Sequence, residues 1–98
     1  MKMLLSDCAK TVRGKLVGED VSFTSISIDT RAIKPGQLYI AIKGHNFDGN
    51  EFIDDAQKAG AIAAIIHDGV KTELAHIIVE DSRLALAELA GEWRRLLS

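Results

Sequence analysis

Between residues 38 and 66 the spacing of apolar side chains changes character twice, and few folds accept such a passage. Leu38, Ile40 and Ile42 alternate with Tyr39, Ala41 and Lys43, the period of a pleated strand. Phe52, Ile53, Ala56 and Ala59 then fall on one face of a helix predicted over 51–59. Gly60 suits the position that ends a helix. Residues 61–66, AIAAII, are apolar throughout and of strand length, as expected of a strand covered on both faces. Strand, helix and covered strand together predict a right-handed βαβ unit with parallel strands.

The flanks of that unit are turn signals. Pro35-Gly36 precedes the first strand, proline setting φ and glycine supplying the freer position. Gly44 and the polar corner His45-Asn46-Phe47-Asp48-Gly49-Asn50 follow it. Asp48 with Glu51 fits a capping box, and Asn50 is a rival N-cap. A strand, a glycine corner and a helix start can aim backbone N–H groups at an anion, though most such corners bind nothing.

The rest of the chain supplies further layers. Leu4, Leu5, Cys8 and Val12 predict a helix over 6–13, with Ser6 as N-cap and Gly14 as stop. Residues 15–17 and 76–79 read as short strands. Residues 21–28 read as a strand whose alternation slips near Thr24-Ser25, a turn or bulge. Asp29-Thr30-Arg31 closes it, and the bland reading of those three is a solvated turn with a local Asp–Arg pair. Asp81-Ser82 caps a last helix with a buried stripe of Leu86, Leu89, Ala90, Trp93 and Leu97, while Glu88, Glu92, Arg94 and Arg95 face water. That helix reaches Ser98 with no stop signal, as though the chain continues or was cut there. The expected fold is α/β, three layers around a mixed sheet of about five strands with one parallel βαβ unit.

Several function classes lack their residues. The chain has 98 residues, enough for one domain, and a net charge of −2 with no basic cluster, so neither nucleic acid nor membrane insertion is expected. No apolar run approaches a membrane span, and the N-terminus lacks the marks of a signal peptide. The single cysteine, Cys8, excludes an internal disulfide, reads as a core thiol and fits a reducing, cytoplasmic setting. His45, His67 and His76 have no partners at metal-ligand spacing. Asp54-Asp55 and Glu80-Asp81 are adjacent pairs that point to different faces, so neither reads as an acid/base couple. A binding domain is easier to build from these residues than a self-sufficient enzyme.

Asp29-Thr30-Arg31, Pro35-Gly36, the run LYIAIKG ending at Gly44, Phe47-Asp48-Gly49, Phe52, Ala56 and Gly60-Ala61 together resemble the N-terminal domain of the Mur ligases. These are the ATP-dependent amide ligases of peptidoglycan precursor synthesis. VEDSRLALAELA, residues 79–90, resembles the family's passage toward its second domain, so the likeness spans essentially the whole chain. Within the family the pattern looks most like the MurF branch, which joins D-alanyl-D-alanine to UDP-N-acetylmuramoyl-tripeptide. The MurE branch is second.

The resemblance implies that residues 1–98 form one domain that recognises the UDP part of a UDP-N-acetylmuramoyl-peptide. Ile28, Asp29, Thr30 and Arg31 would line that site from one strand end, and His45, Asn46, Phe47, Asp48 and Gly49 from the neighbouring corner. Thr30 can donate to phosphate or uracil oxygens, Phe47 can face the base, and Asn46 can meet a uracil edge. Arg31 either pairs with phosphate or braces Asp29 or Asp48. Gly44 and Gly49 let the backbone approach. The family's ATP-binding G-K-[ST] loop is absent here, as are its metal ligands and amine-binding domain. ATP and Mg thus belong to the parent ligase, the chain's partner is the central ATPase domain, and no catalytic or metal residue is expected in the chain. The competing readings are a non-catalytic α/β ligand-sensing module and a protein-interaction module.

Overall fold

The structure is a computed structural model and describes residues 2–43, 49–67 and 71–97. In chain order its elements are β1 (Met3–Leu4), α1 (Leu5–Val12), β2 (Lys15–Val17), β3 (Ser22–Phe23), β4 (Ile26–Ser27), a 3-10 turn (Thr30–Ala32), β5 (Leu38–Ile40), a second 3-10 turn (Gly49–Phe52), α2 (Ile53–Ala59), β6 (Ala63–Ile66), β7 (Ala75–Ile78) and α3 (Ser82–Leu97). Five strands form one mixed sheet in the order β2-β7-β6-β5-β4. β4, β5, β6 and β7 are mutually parallel, and β2 runs antiparallel to β7 at the edge. β1 and β3 pair in a separate two-stranded ribbon.

The strand period assigns side chains to two cores. Leu38, Ile40, Ala63, Ile65 and Ile77 join the larger core with Leu5, Cys8, Val12, Phe23, Ala85 and Leu89, under α1 and α3. Tyr39, Ala41, Ala64 and Ile66 face the other way, with Ile53 and Ala56 of α2. All four residues of β6 are buried, which is why its sequence shows no polar side. Burying a Leu, Ile or Phe side chain contributes roughly 1.5–3 kcal/mol, so the fully buried Phe23, Leu5, Leu38, Ile40, Ile65, Ile77 and Leu89 dominate the larger core.

The βαβ unit, the three layers and the mixed sheet stand as the sequence predicts. The ends of the elements differ. Ser6 is not the N-cap of α1. Leu4 holds that position without a side-chain cap, and the carboxylate of Asp20 accepts from the Ser6 N–H (2.8 Å) and hydroxyl (2.7 Å) instead. α1 stops at Arg13, in the left-handed region at φ 56°. Gly14 serves close packing: a Cβ there would lie 2.3 Å from Ile77 Cγ2 and 2.9 Å from the Ile78 carbonyl.

The slip at Thr24-Ser25 is where the chain leaves one sheet for another. Phe23 ends β3 in the ribbon, and Ile26 begins β4 in the main sheet. α2 starts later than expected, at Ile53 with Phe52 in the N-cap position, and the expected capping by the Asp48 and Asn50 side chains lies outside the described residues. Asp81 caps α3, its Oδ1 accepting from the N–H groups of Arg83 (3.0 Å) and Leu84 (3.1 Å). On α3 the buried stripe ends early. Leu89 is fully buried and Trp93 packs against the core, but Leu97 is 68% exposed. Glu88, expected in water, is half-buried and paired with Arg13 at 2.6 Å. Among the described residues no helix is long and apolar enough to cross a membrane.

Candidate functional site

Parallel strands release their following segments at one end of a sheet, and ligands of open α/β sheets collect there. Here that end receives residues 28–32 after β4, 41–43 after β5, His67 after β6 and residues 79–81 after β7. β4 and β5 are neighbours in register, Ile26 opposite Leu38 and Ser27 opposite Tyr39. The two segments singled out in the sequence therefore leave adjacent strands at the same end. The expected contacts of His45, Asn46, Phe47 and Asp48 lie outside the described residues, and Gly49 opens the second 3-10 turn.

The corner after β4 is fully described. Asp29 caps the 3-10 turn, its Oδ1 accepting from the Arg31 N–H at 2.9 Å. The Arg31 guanidinium returns onto the same carboxylate, Nε to Oδ1 at 3.1 Å and Nη2 to Oδ2 at 3.0 Å. The Ser27 hydroxyl donates to the Asp29 carbonyl at 3.1 Å and accepts from its N–H at 3.3 Å, and the Asp29 carbonyl also accepts from the Ala32 N–H. The local Asp–Arg pair is thus present, and Arg31 braces Asp29. Hydrogen bonds from the Arg31 side chain, then from its backbone, hold the Asp29 carboxyl below the usual carboxylate range.

A two-point fork fixes the guanidinium plane and leaves its remaining N–H groups outward, since Arg31 stays exposed. Among the described residues nothing bonds the Thr30 hydroxyl. Ile28 is 54% exposed beside it. The corner therefore offers a hydroxyl, a held cation and an apolar side chain to solvent, a set suited to an anionic ligand with a flat apolar part.

Sequence reasoning passed over the junction next to β5. His67 Nδ1 lies 3.2 Å from the Ala41 carbonyl and 3.2 Å from Ser82 Oγ. Arg83 Nη2 donates to the Lys43 carbonyl at 3.4 Å. These contacts join residues 15 to 40 positions apart. The one sequence signal that could have found them is position, since each follows a parallel strand or opens the helix after one. Among the described residues no three His, Cys, Asp or Glu side chains gather where a metal could be held.

A family model described as "Mur ligase family, catalytic domain" matches residues 22–94. The chain is 37% identical over 95 residues to the UDP-N-acetylmuramoyl-tripeptide--D-alanyl-D-alanine ligase of Escherichia coli, covering 97% of this chain and 21% of the relative. It is 41% identical over 68 residues to the UDP-N-acetylmuramoyl-L-alanyl-D-glutamate--2,6-diaminopimelate ligase of Aquifex aeolicus, covering 69% of this chain and 14% of that one. Among solved structures, MurF from Acinetobacter baumannii superposes with a TM-score of 0.88 at 24% identity, over 98% of this chain and 22% of that one, a likeness of fold. The MurF ligase of Thermotoga maritima in complex with ADP aligns with a TM-score of 0.64 at 34% identity, over 69% of this chain and 16% of that one. The chain spans about a fifth of the length of the first of these relatives. Since the family model covers most of its residues, the chain belongs to the Mur ligase family.

Proposed function

We propose that this chain is the substrate-recognition domain of a ligase that joins D-alanyl-D-alanine to UDP-N-acetylmuramoyl-tripeptide, and that it holds the UDP part. The observation that carries this reading is the release of residues 28–31 and 41–43 from adjacent parallel strands at one end of the sheet. The Thr30 hydroxyl and the outward N–H groups of Arg31 meet the diphosphate, and Ile28 with Phe47 faces the base. Asn46 reads the uracil edge, and His45, Asp48 and Gly49 complete the second wall. Asp29 acts through Arg31, as a positioning residue.

ATP does not fit these residues. The 98 residues contain no G-K-[ST] loop, although the matched family model is named for a catalytic domain. ATP and Mg are used elsewhere in the parent ligase, whose central domain is the partner of this one, in the cytoplasm. The ADP complex of the Thermotoga maritima relative supports nucleotide use by the parent enzyme. A second reading, the matching domain of a diaminopimelate-adding ligase, draws on the Aquifex aeolicus relative. Coverage favours the first, 97% of this chain against 69%.

The test is a heteronuclear NMR titration with UDP and with UDP-N-acetylmuramoyl-tripeptide. Shifts confined to residues 28–31 and 43–49 are expected. Shifts confined to the other end of the sheet would overturn the reading. Silence at millimolar ligand, repeated on a longer chain that includes the next domain, would also overturn it.

A further inference from the structure

We propose that the groove beside α2 is a binding site for a small primary ammonium ligand, with His76 as its buried acceptor. β7 and β2 pair with His76 opposite Val17, and the strand period puts Ile78 on the same face. α2 lies on that face, but its Ile53 and Ala56 pack with Tyr39 of β5 and with Ala64 and Ile66 of β6. Over β7 and β2 there is instead a groove of about 830 Å³, a size that suits a small molecule. Val17, Ile78 and His76 line it from the sheet, Asp54 from α2, and Lys71 and Glu73 from the segment before β7.

His76 is only 6% exposed, and one of its two ring nitrogens is in use. Nδ1 lies 2.8 Å from the Leu74 carbonyl. A carbonyl oxygen only accepts, so Nδ1 carries the proton and Nε2 keeps a lone pair. Among the described residues nothing bonds Nε2, and it is not sealed inside the protein. A fixed ring with a free lone pair selects a ligand that brings a donor. Asp54 and Glu73 are likewise unpaired among the described residues, and against Lys71 they leave the lining one net negative charge. A primary ammonium group has donors and no acceptor, and its alkyl chain meets Val17 and Ile78. A metal ion fits less well, since among the described residues no three such ligands gather closely enough to hold one.

The test is an NMR titration with butylammonium at constant ionic strength, read at the His76 ring nitrogens and at the amides of Val17 and Glu73. Before ligand is added, the His76 proton should be found on Nδ1. Binding should move the Nε2 resonance as it accepts a hydrogen bond. Tetramethylammonium, with the same charge and no N–H, and butyrate, with the opposite charge, should leave Nε2 unmoved. His76→Leu should weaken butylammonium at least about tenfold, the loss of a hydrogen bond to a charged donor, and His76→Gln, which keeps an acceptor there, should restore part of it. Should His76→Leu fail to fold, the exposed positions carry the test. Glu73→Gln and Asp54→Asn should each weaken binding about two- to fivefold, and Lys71→Gln should strengthen it about twofold.

Shifts that do not saturate, or that tetramethylammonium produces equally, would reduce the groove to loose attraction of charge and overturn the proposal. A His76 proton on Nε2 in the free protein would overturn it as well. Tighter binding of Nα-acetyl-lysine amide than of butylammonium would assign the groove to a protein's lysine and overturn the small-ligand site. None of these outcomes touches the nucleotide reading, whose residues lie at the end of the sheet and not in this groove.

Discussion

Gly60 and Pro35 meet at the end of the sheet opposite the candidate site, so closely that even a methyl group on Gly60 would be tight against the proline. A Cβ on Gly60 would lie 3.1 Å from Pro35 Cα. The Gly36 N–H donates to the Gly60 carbonyl at 3.1 Å, and Gly60 itself sits at φ 109°. The turn before β5 and the cap after α2 are thus joined, a contact between the entries to the two strands of the βαβ unit.

Gly60→Ala should therefore destabilise the fold by about 1–2 kcal/mol from the left-handed backbone alone, with the Pro35 contact adding to it. Urea denaturation measures this as a lower midpoint with an unchanged slope. A variant as stable as wild type would mean the two turns are not in contact.

Phe23 is fully buried, and its ring lies 5.5 Å from that of Trp93 at 34°. Phe23→Ala should cost about 3–5 kcal/mol, a large share of the stability of a small domain. Leu97→Ala on the same helix as Trp93 should stay within about 0.5 kcal/mol, because Leu97 faces solvent. Equal losses at the two positions in thermal unfolding would contradict the early end of the buried stripe.

The Asp29–Arg31 fork has a titration signature. Arg31 lowers the Asp29 pKa in the folded state, so the pair's contribution is present above the unfolded value and fades as pH falls through the lowered one. Carboxyl NMR of Asp29 should show its midpoint below the ordinary aspartate range in wild type and moved up in Arg31→Gln. Identical midpoints would mean the fork does not form in solution.

Cys8 is fully buried, and burial pushes its thiol up to about 12. A folded pKa raised above the unfolded one gives stability that is whole below about pH 9 and drains away toward about pH 12. Cys8→Ala should flatten that alkaline loss, seen in denaturant midpoints at rising pH. At neutral pH, alkylation of Cys8 should proceed only as fast as the protein opens.

The parts of the fold written in local spacing were legible. Leu38–Ile40 read as a strand because neighbours two residues apart share a core, Ala63–Ile66 because an unbroken apolar run of strand length marks a strand covered on both faces, and Gly60 marked the helix end through its backbone. What failed was set at a distance. Asp20 caps α1 from 14 residues away, a role no window around Ser6 reveals. The slip at Thr24-Ser25 was visible, but that it separates two sheets depends on Met3 and Leu38, which lie far off in sequence. At the candidate site Asp29 and Arg31 were legible as a pair two residues apart. His67 was not, since its partners Ala41 and Ser82 come from two other elements.

The sheet is widest in its middle and narrow at its sides. Among the described residues its margins are β4, of two residues, and β2, of three. A margin that short presents too few open N–H and C=O groups for a foreign strand to zip onto. The apolar β6, which has no polar residue to discourage pairing with another strand, is enclosed by β5 and β7. The same arrangement that gathers the parallel strand ends on one side also leaves little open backbone along the margins of the sheet.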